Sequence, residues 1–402
     1  MSASFRATAR EASVKLRVLA QGFDAIAVDG RLDHDVAAAI HDARDAGVVT
    51  VLVSRGSLAD IQALLRAPAL ADAVVAEGGA VVEIPNGTGP TVLARGPDAA
   101  LVAELQRRNV AHRSGLCMVE VDAAAAPGVL AGLHALGSPH GISFDRGRLL
   151  VLPHGVSKAT GLGEAVWRLG ASLHNAVAIG DGDDDQPMLD ACEIGAAVAW
   201  GSSALRQSAD HVVPGSGPAD VAEYIRALLA TETTPPGRIP HPARRLRLGT
   251  RENGEPLDTE DRGRNVFVAG DPRSGKTWLV GLLCEQLILM RYALCILDPE
   301  GDYACLDALP GVIVHPVRQH EDPFHGCVER ILRQPGLSVV VDLSGLATDT
   351  KRAAVRSLLR GVDALRRTRG VPHRVVLDEA HYFLHRSEDA GLFDRELGGI
   401  AW

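Results

Sequence analysis

The chain has 402 residues, is 46% hydrophobic and 23% charged, and carries a formal net charge of −9. That length points to two or three domains, and the composition is that of an ordinary globular protein. No uninterrupted stretch of about 18 or more apolar residues is present, which excludes a transmembrane helix. The acidic balance gives no bulk attraction for nucleic acid.

Arg6, Arg10, Lys15 and Arg17 near the N-terminus are followed by no apolar signal core. Cys117, Cys192, Cys284, Cys295, Cys305 and Cys327 form no C-x-x-C pair, so they are expected to be buried, reduced thiols of a cytoplasmic protein. Apolar segments alternate with helical patterns along most of the chain. Buried parallel strands are predicted at 14–20, 49–54, 176–180, 266–270, 293–298, 338–342 and 374–378. The predicted fold class is therefore α/β, with two doubly wound parallel-sheet domains. The break between them is the Pro-, Gly- and Arg-rich segment 231–263, read as a linker in which 246–257 is suited to a strand or hairpin. Arg244, Arg245 and Arg247, with Arg238 and Arg251, make a local basic stretch that reads as a solvated linker.

In the first half, the strand 176–180 runs into Asp181-Gly182-Asp183-Asp184-Asp185. Asp181 and Asp185, four apart on one loop, suit a hard, oxygen-ligated cation. Lys158 follows Pro153-His154-Gly155-Val156-Ser157, and Ser54 ends the strand 49–54. Together these resemble the haloacid-dehalogenase-like (HAD) phosphatases of the Cof and sucrose-phosphatase type. The resemblance implies a Rossmann-like core at 12–80 and 150–230 and an α+β cap inserted at 81–149, beginning near Glu77-Gly78-Gly79. It implies that Asp181 and Asp185 support Mg²⁺, that Lys158 screens phosphate charge and that Ser54 binds phosphate. Asp184 stands where the family has Asn, and Arg55-Gly56 inverts the usual order.

The first motif of that family, D-x-D-G-T, is missing. One register reads it at Ala27-Val28-Asp29-Gly30-Arg31, with Ala27 in place of the nucleophile. The other, preferred because it needs no deletion, reads it at Gln21-Gly22-Phe23-Asp24-Ala25, with Gln21 and Phe23 replacing both catalytic aspartates. Asp24 fits neither. In both registers no carboxylate is available to accept a phosphoryl group.

In the second half, Gly270-Asp271-Pro272-Arg273-Ser274-Gly275-Lys276-Thr277 fits G-x-x-x-x-G-K-[ST], between an apolar segment and a helical pattern from Trp278 to Met290. Strand, glycine loop and helix N-terminus would cradle ATP phosphates, with Lys276 on the β and γ phosphates and Thr277 on Mg²⁺. About a hundred residues on, Val375-Val376-Leu377-Asp378-Glu379 fits a Walker B strand, with Asp378 toward the metal and Glu379 toward the attacking water. With Leu297-Asp298-Pro299-Glu300-Gly301-Asp302-Tyr303, this half resembles the HerA/FtsK P-loop ATPases, hexameric DNA motors. The resemblance implies a RecA-like domain at 264–402, ATP hydrolysis, a homo-oligomeric ring and a DNA partner. Asp298 and Glu300 read equally as catalytic acids or as a turn cap. The chain stops at Trp402, before the later strand and sensor of that family, and Arg386 and Arg395 are its only late arginines.

The expected function is therefore a Mg²⁺-dependent ATPase fused to a HAD-like domain without its nucleophile. The alternatives are a phosphatase of phosphorylated small molecules regulated by ATP, and a non-hydrolysing ATP or metabolite sensor.

Overall fold

The computed structural model describes residues 16–231 and 245–383, apart from residues 29, 66–69, 86, 88, 98, 146, 261–265 and 320. Asp29, Arg386, Arg395, most of the basic N-terminal residues and the chain end at Trp402 lie outside the described residues. The chain divides into two compact units, Lys15–Ile239 and the residues from Pro240 onward. No helix is long and apolar enough to cross a membrane among the described residues.

The first unit is built on an eight-stranded sheet. Its order is His211–Val213, Ile194–Val198, Ala176–Gly180, Val18–Gly22, Val49–Val53, Ala73–Ala76, Val81–Glu83 and Thr91–Val92. The first six strands are parallel and the last two antiparallel. Val18–Gly22 is wholly buried. It is flanked by parallel neighbours, so both of its faces must be apolar. One face packs Leu19, Leu52 and Ile179 against the helices His34–Asp45 and Pro218–Thr231, and the other packs Val18, Ala20 and Val51 against Lys158–Arg168. Asp33 starts the first of these helices by accepting the Asp35 and Val36 amides at 2.9 and 3.2 Å.

A separate antiparallel sheet of Gly141–Asp145, Arg148–Leu152, Val119–Asp122 and His112–Ser114 forms the cap, with helices Ala99–Arg107 and Ala126–Leu136 packed through Leu101, Leu105, Val129 and Leu133. The cap limits differ from the expected 81–149. Val81–Glu83 and Thr91–Val92 pair with the core sheet, and the cap sheet extends to Leu152. Strand pairing draws this boundary, and pairing is not local in sequence. The first strand begins at Val18, later than the expected 14, and residues 14 and 15 lie outside the described residues.

The second unit holds a four-stranded parallel sheet in the order Val312–Pro316, Ser338–Asp342, Leu294–Asp298, Arg374–Leu377, and a two-stranded hairpin of Arg245–Thr250 and Pro256–Glu260. The hairpin falls inside the expected linker and takes up part of the basic stretch, with Leu246 buried and Arg247 paired to Asp258. The amphipathic helix Thr348–Arg369 covers one face with Val355, Leu358, Leu359 and Val362. The strand expected at 266–270 is absent. Phe267 is 73% exposed and no strand pairs with this segment among the described residues. An apolar run becomes a strand only where an edge supplies hydrogen-bond partners. The thiols also divide. Cys117, Cys192, Cys284 and Cys295 are buried, as expected, but Cys305 and Cys327 are exposed.

Candidate functional site

Parallel strands in register finish at one edge of the sheet. Gln21 aligns with Ile179 on one side and Leu52 on the other, and Gly22 aligns with Val53. The residues just past the neighbouring strands, Ser54 and Asp181, therefore stand on either side of the central strand's end, one or two positions beyond the level of Gln21-Gly22. The cap strand Gly141–Asp145 lies against the turn Asp183–Asp185 at this same edge.

Asp185 holds the edge together. Its Oδ2 accepts the Asp181 and Gly182 amides at 2.8 and 3.1 Å, and its Oδ1 accepts Lys158 Nζ at 2.6 Å. The carboxylate presses on the backbone of the central strands, so an added Cβ at Gly180 would lie 2.6 Å from Asp185 Cβ. Lys158 opens its helix behind the Ser157–Thr160 capping box and is 6% exposed. Its Nζ also meets Asp184 Oδ2 at 2.8 Å. Burial works against the ammonium charge, but Asp185 and Asp184 more than offset it, so Lys158 is held above its ordinary range. Ser54 is buried and its Oγ accepts the Gly56 amide at 3.0 Å.

Gln21 is 0% exposed, and neither its carboxamide oxygen nor its nitrogen has a hydrogen-bond partner among the described residues. Leaving such a group unmet costs about 1–3 kcal/mol. Phe23 is buried in an apolar cluster with Leu58, Ile61, Val74 and Cys117. Asp24 lies 3.8 Å from Arg55. Among the described residues Ala27–Val28 pairs only with Arg31–Leu32, in a hairpin off the main sheet. The central strand end thus falls at Gln21-Gly22, in agreement with the preferred register and not with the one through Ala27.

In the second unit Gly275, with φ of 90°, leads into the helix Lys276–Leu289, so Lys276 and Thr277 stand at a helix N-terminus. Gly270 to Gly275 are exposed, Lys276 and Thr277 are half-buried, and Lys276 Nζ donates to the Asp271 carbonyl at 3.2 Å within its own loop. Asp378 follows Arg374–Leu377 and accepts the Glu379 amide at 2.9 Å. It lies beside the buried Tyr303 hydroxyl, and burial followed by this carboxylate raises the phenol. Burial and then Asp378 also push the Cys284 thiol up to about 12. The described contacts do not join Asp378 to Lys276 or Thr277. Glu379 has φ of 46° and pairs with His381 at 3.0 Å.

The structure resolves the double reading of Asp298 in favour of the turn. Its carboxylate accepts the amides of Glu300, Gly301, Asp302 and Tyr303 at 2.8–3.3 Å, which occupies both oxygens. Glu300 reaches Lys351 at 3.8 Å.

The family model of haloacid dehalogenase-like hydrolases matches residues 134–225. The phosphoglycolate phosphatase of Aeropyrum pernix is 26% identical over 216 residues, covering 51% of this chain and 88% of that protein. The phosphoglycolate phosphatase of Methanopyrus kandleri is 39% identical over 74 residues, covering 18% of this chain and 32% of that protein. Over residues 134–225 the first unit is therefore similar to the haloacid dehalogenase-like hydrolases. Among solved structures, a haloacid dehalogenase-like hydrolase from Bacteroides thetaiotaomicron has 15% identity and a TM-score of 0.47, covering 53% of this chain and all of that one. A HAD subclass IIB sugar phosphatase has 16% identity and a TM-score of 0.45, covering 54% of this chain and 99% of its own.

In this first unit, the residues fit Mg²⁺ poorly. Gln21 offers an amide where a carboxylate is needed, and Asp185 is spent on Lys158 and two backbone amides. No group of three or more His, Cys, Asp or Glu forms a metal-binding set among the described residues. Lys158, expected to screen a phosphate, is already neutralised by two carboxylates. One of them, Asp184, was visible in the sequence as a departure from the family, but its partner was not. Glu77 was also missed as more than the start of the cap, although a buried acid there is a signal for a specific partner.

Proposed function

We propose that the chain binds phosphorylated small molecules in a phosphatase-class pocket of its first unit, while the glycine loop of the second unit binds ATP in a regulatory role. The phosphatase class is favoured over the ATPase reading. The family match lies at 134–225, both curated relatives are phosphoglycolate phosphatases, and none of these findings bears on ATP. The observation that shapes the reading is Gln21, buried at the end of the central strand. An amide cannot form the acyl-phosphate that a carboxylate nucleophile forms, so the pocket captures esters with little turnover. The test is calorimetry and phosphate release on the full chain with a phosphomonoester panel that includes phosphoglycolate, with and without Mg²⁺. Binding in the micromolar to millimolar range with negligible release is expected. Rapid release abolished by Asp181→Ala would show that another group serves as nucleophile.

The ATP-binding half of this reading, at Gly270 to Thr277, is favoured by the left-handed Gly275 feeding a helix N-terminus. Such an end presents unpaired N–H groups and a positive dipole to phosphate. ATP hydrolysis that is lost in Glu379→Gln and raised by DNA would bring back the motor reading. A hexamer in light scattering would extend it.

A further inference from the structure

Glu77 is 1% exposed and sits at the end of the core strand Ala73–Ala76, in the left-handed region with φ of 53°. Its carboxylate reaches the cap. Oε1 accepts the Leu116 amide at 2.9 Å, and Oε2 accepts those of Cys117 and Met118 at 2.7 and 3.2 Å. These amides belong to the turn between the cap strands His112–Ser114 and Val119–Asp122. One buried core carboxylate is therefore seated in a nest of three cap amides, which satisfies both of its oxygens.

The surroundings are shaped for this contact. An added Cβ at Gly115 would lie 2.6 Å from the Glu77 carboxylate. Gly78 and Gly79 have φ of 64° and 107°, and a Cβ at Gly79 would come within 1.9 Å of the Ser157 carbonyl, on the chain returning from the cap. Cys117, one of the three amide donors, is buried against Phe23 and donates Sγ–H to the Ala94 carbonyl at 3.2 Å. A non-glycine residue in the left-handed region is strained and persists only when its surroundings demand it.

We propose that Glu77 is a latch that fixes the cap over the strand-end pocket, a positioning residue that sets how well a ligand is enclosed. The enclosure part rests on the reading of that pocket as a phosphate-ester site; the latch itself does not. The cap strand Gly141–Asp145 lies against the Asp183–Asp185 turn. Releasing the 115–118 turn therefore loosens the roof of the pocket without touching the groups around Lys158.

The test is hydrogen exchange on the full-length chain, read by mass spectrometry, for wild type, Glu77→Ala, Glu77→Gln, Gly115→Ala and the double variant Glu77→Ala/Gly115→Ala. Glu77→Ala is expected to speed exchange at residues 115–118 at least tenfold while the strands 18–22, 49–53 and 176–180 keep wild-type protection. Gly115→Ala, which keeps the carboxylate but crowds it, gives the same pattern. The double variant is no faster than either single one, because both break the same contact. Glu77→Gln, which retains acceptor capacity on one oxygen, falls between wild type and Glu77→Ala. Phosphoglycolate affinity is measured beside it, and the single alanine variants are expected to weaken it about tenfold. Unchanged exchange at 115–118, additive effects in the double variant, or equal loss of protection in the core strands overturns the latch. Absence of phosphoglycolate binding in wild type overturns the pocket reading and the enclosure role, and leaves the latch to be decided by exchange.

Discussion

Lys158 Nζ lies 2.8 Å from Asp184 Oδ2 and 2.6 Å from Asp185 Oδ1, with all three side chains less than one-tenth exposed. The chain lacks a carboxylate at residue 21 and has an additional one at residue 184, where the resembling family has Asn. The buried ammonium is thereby kept paired, as a buried charge requires. Two departures that look unrelated in sequence compensate in charge.

Lys158→Met should therefore be strongly destabilising, by about 3–5 kcal/mol, since it leaves two buried carboxylates facing each other. Adding Asp184→Asn to that variant should recover part of the loss. Thermal melts of the single and double variants, followed by a probe of the first unit, check this. A double variant that melts below the single one contradicts the compensation. For Lys158 itself the folded value is raised, so its stabilising contribution is complete at pH values below the ordinary lysine range and fades only as pH rises through the raised value. No loss of stability from this lysine is expected between pH 6 and about 9.

Gln21→Met replaces an unmet amide by an apolar chain of similar shape. The expected result is a neutral effect or a gain of about 1 kcal/mol, because the desolvation penalty of the orphaned amide disappears. A loss of more than about 2 kcal/mol, seen as a lower melting temperature, would mean that the amide has a partner in solution. Gln21→Asp with Phe23→Asp restores both acids of the missing motif. It should raise phosphomonoester release above wild type while lowering the melting temperature, since Phe23 leaves an apolar cluster.

Cysteine reactivity divides the thiols by burial. Cys305 and Cys327 should be alkylated in the native protein at pH 8. Cys284 and Cys295, each pushed up to about 12 by burial first of all, should stay unmodified until the chain is denatured. Peptide mapping by mass spectrometry reads the outcome directly, and rapid native labelling of Cys295 would contradict its place in the central strand of the second sheet.

Lys276→Ala should abolish ATP binding, because this ammonium is the compact charge partner available to the β and γ phosphates in the loop. The readout is loss of the ATP-dependent rise in melting temperature, which for a wild-type site reflects a stabilisation of about 2.7 kcal/mol when ATP is at a hundred times its Kd. An unchanged rise in the variant would remove the loop from consideration.

What the sequence determined alone is what local chemistry controls. Alternating apolar strands and amphipathic helices foretold two α/β units. The spacing of Asp181 and Asp185 marked a loop behind a buried strand, and the glycine loop before Lys276 foretold a helix beginning there. Each of these follows from backbone periodicity and from residues within a few positions of one another. The tertiary structure decided the rest. Strand pairing put Gln21, and not Ala27, beside Ile179 and Leu52, and it denied residues 266–270 a strand because nothing pairs with that segment among the described residues. Through-space charge and hydrogen bonding gave Lys158 its two carboxylates, Asp298 its four amides, and Glu77 a grip on residues 116–118, some forty positions away. These outcomes depend on which distant groups are brought together and hidden from water, and one-dimensional spacing carries no record of that.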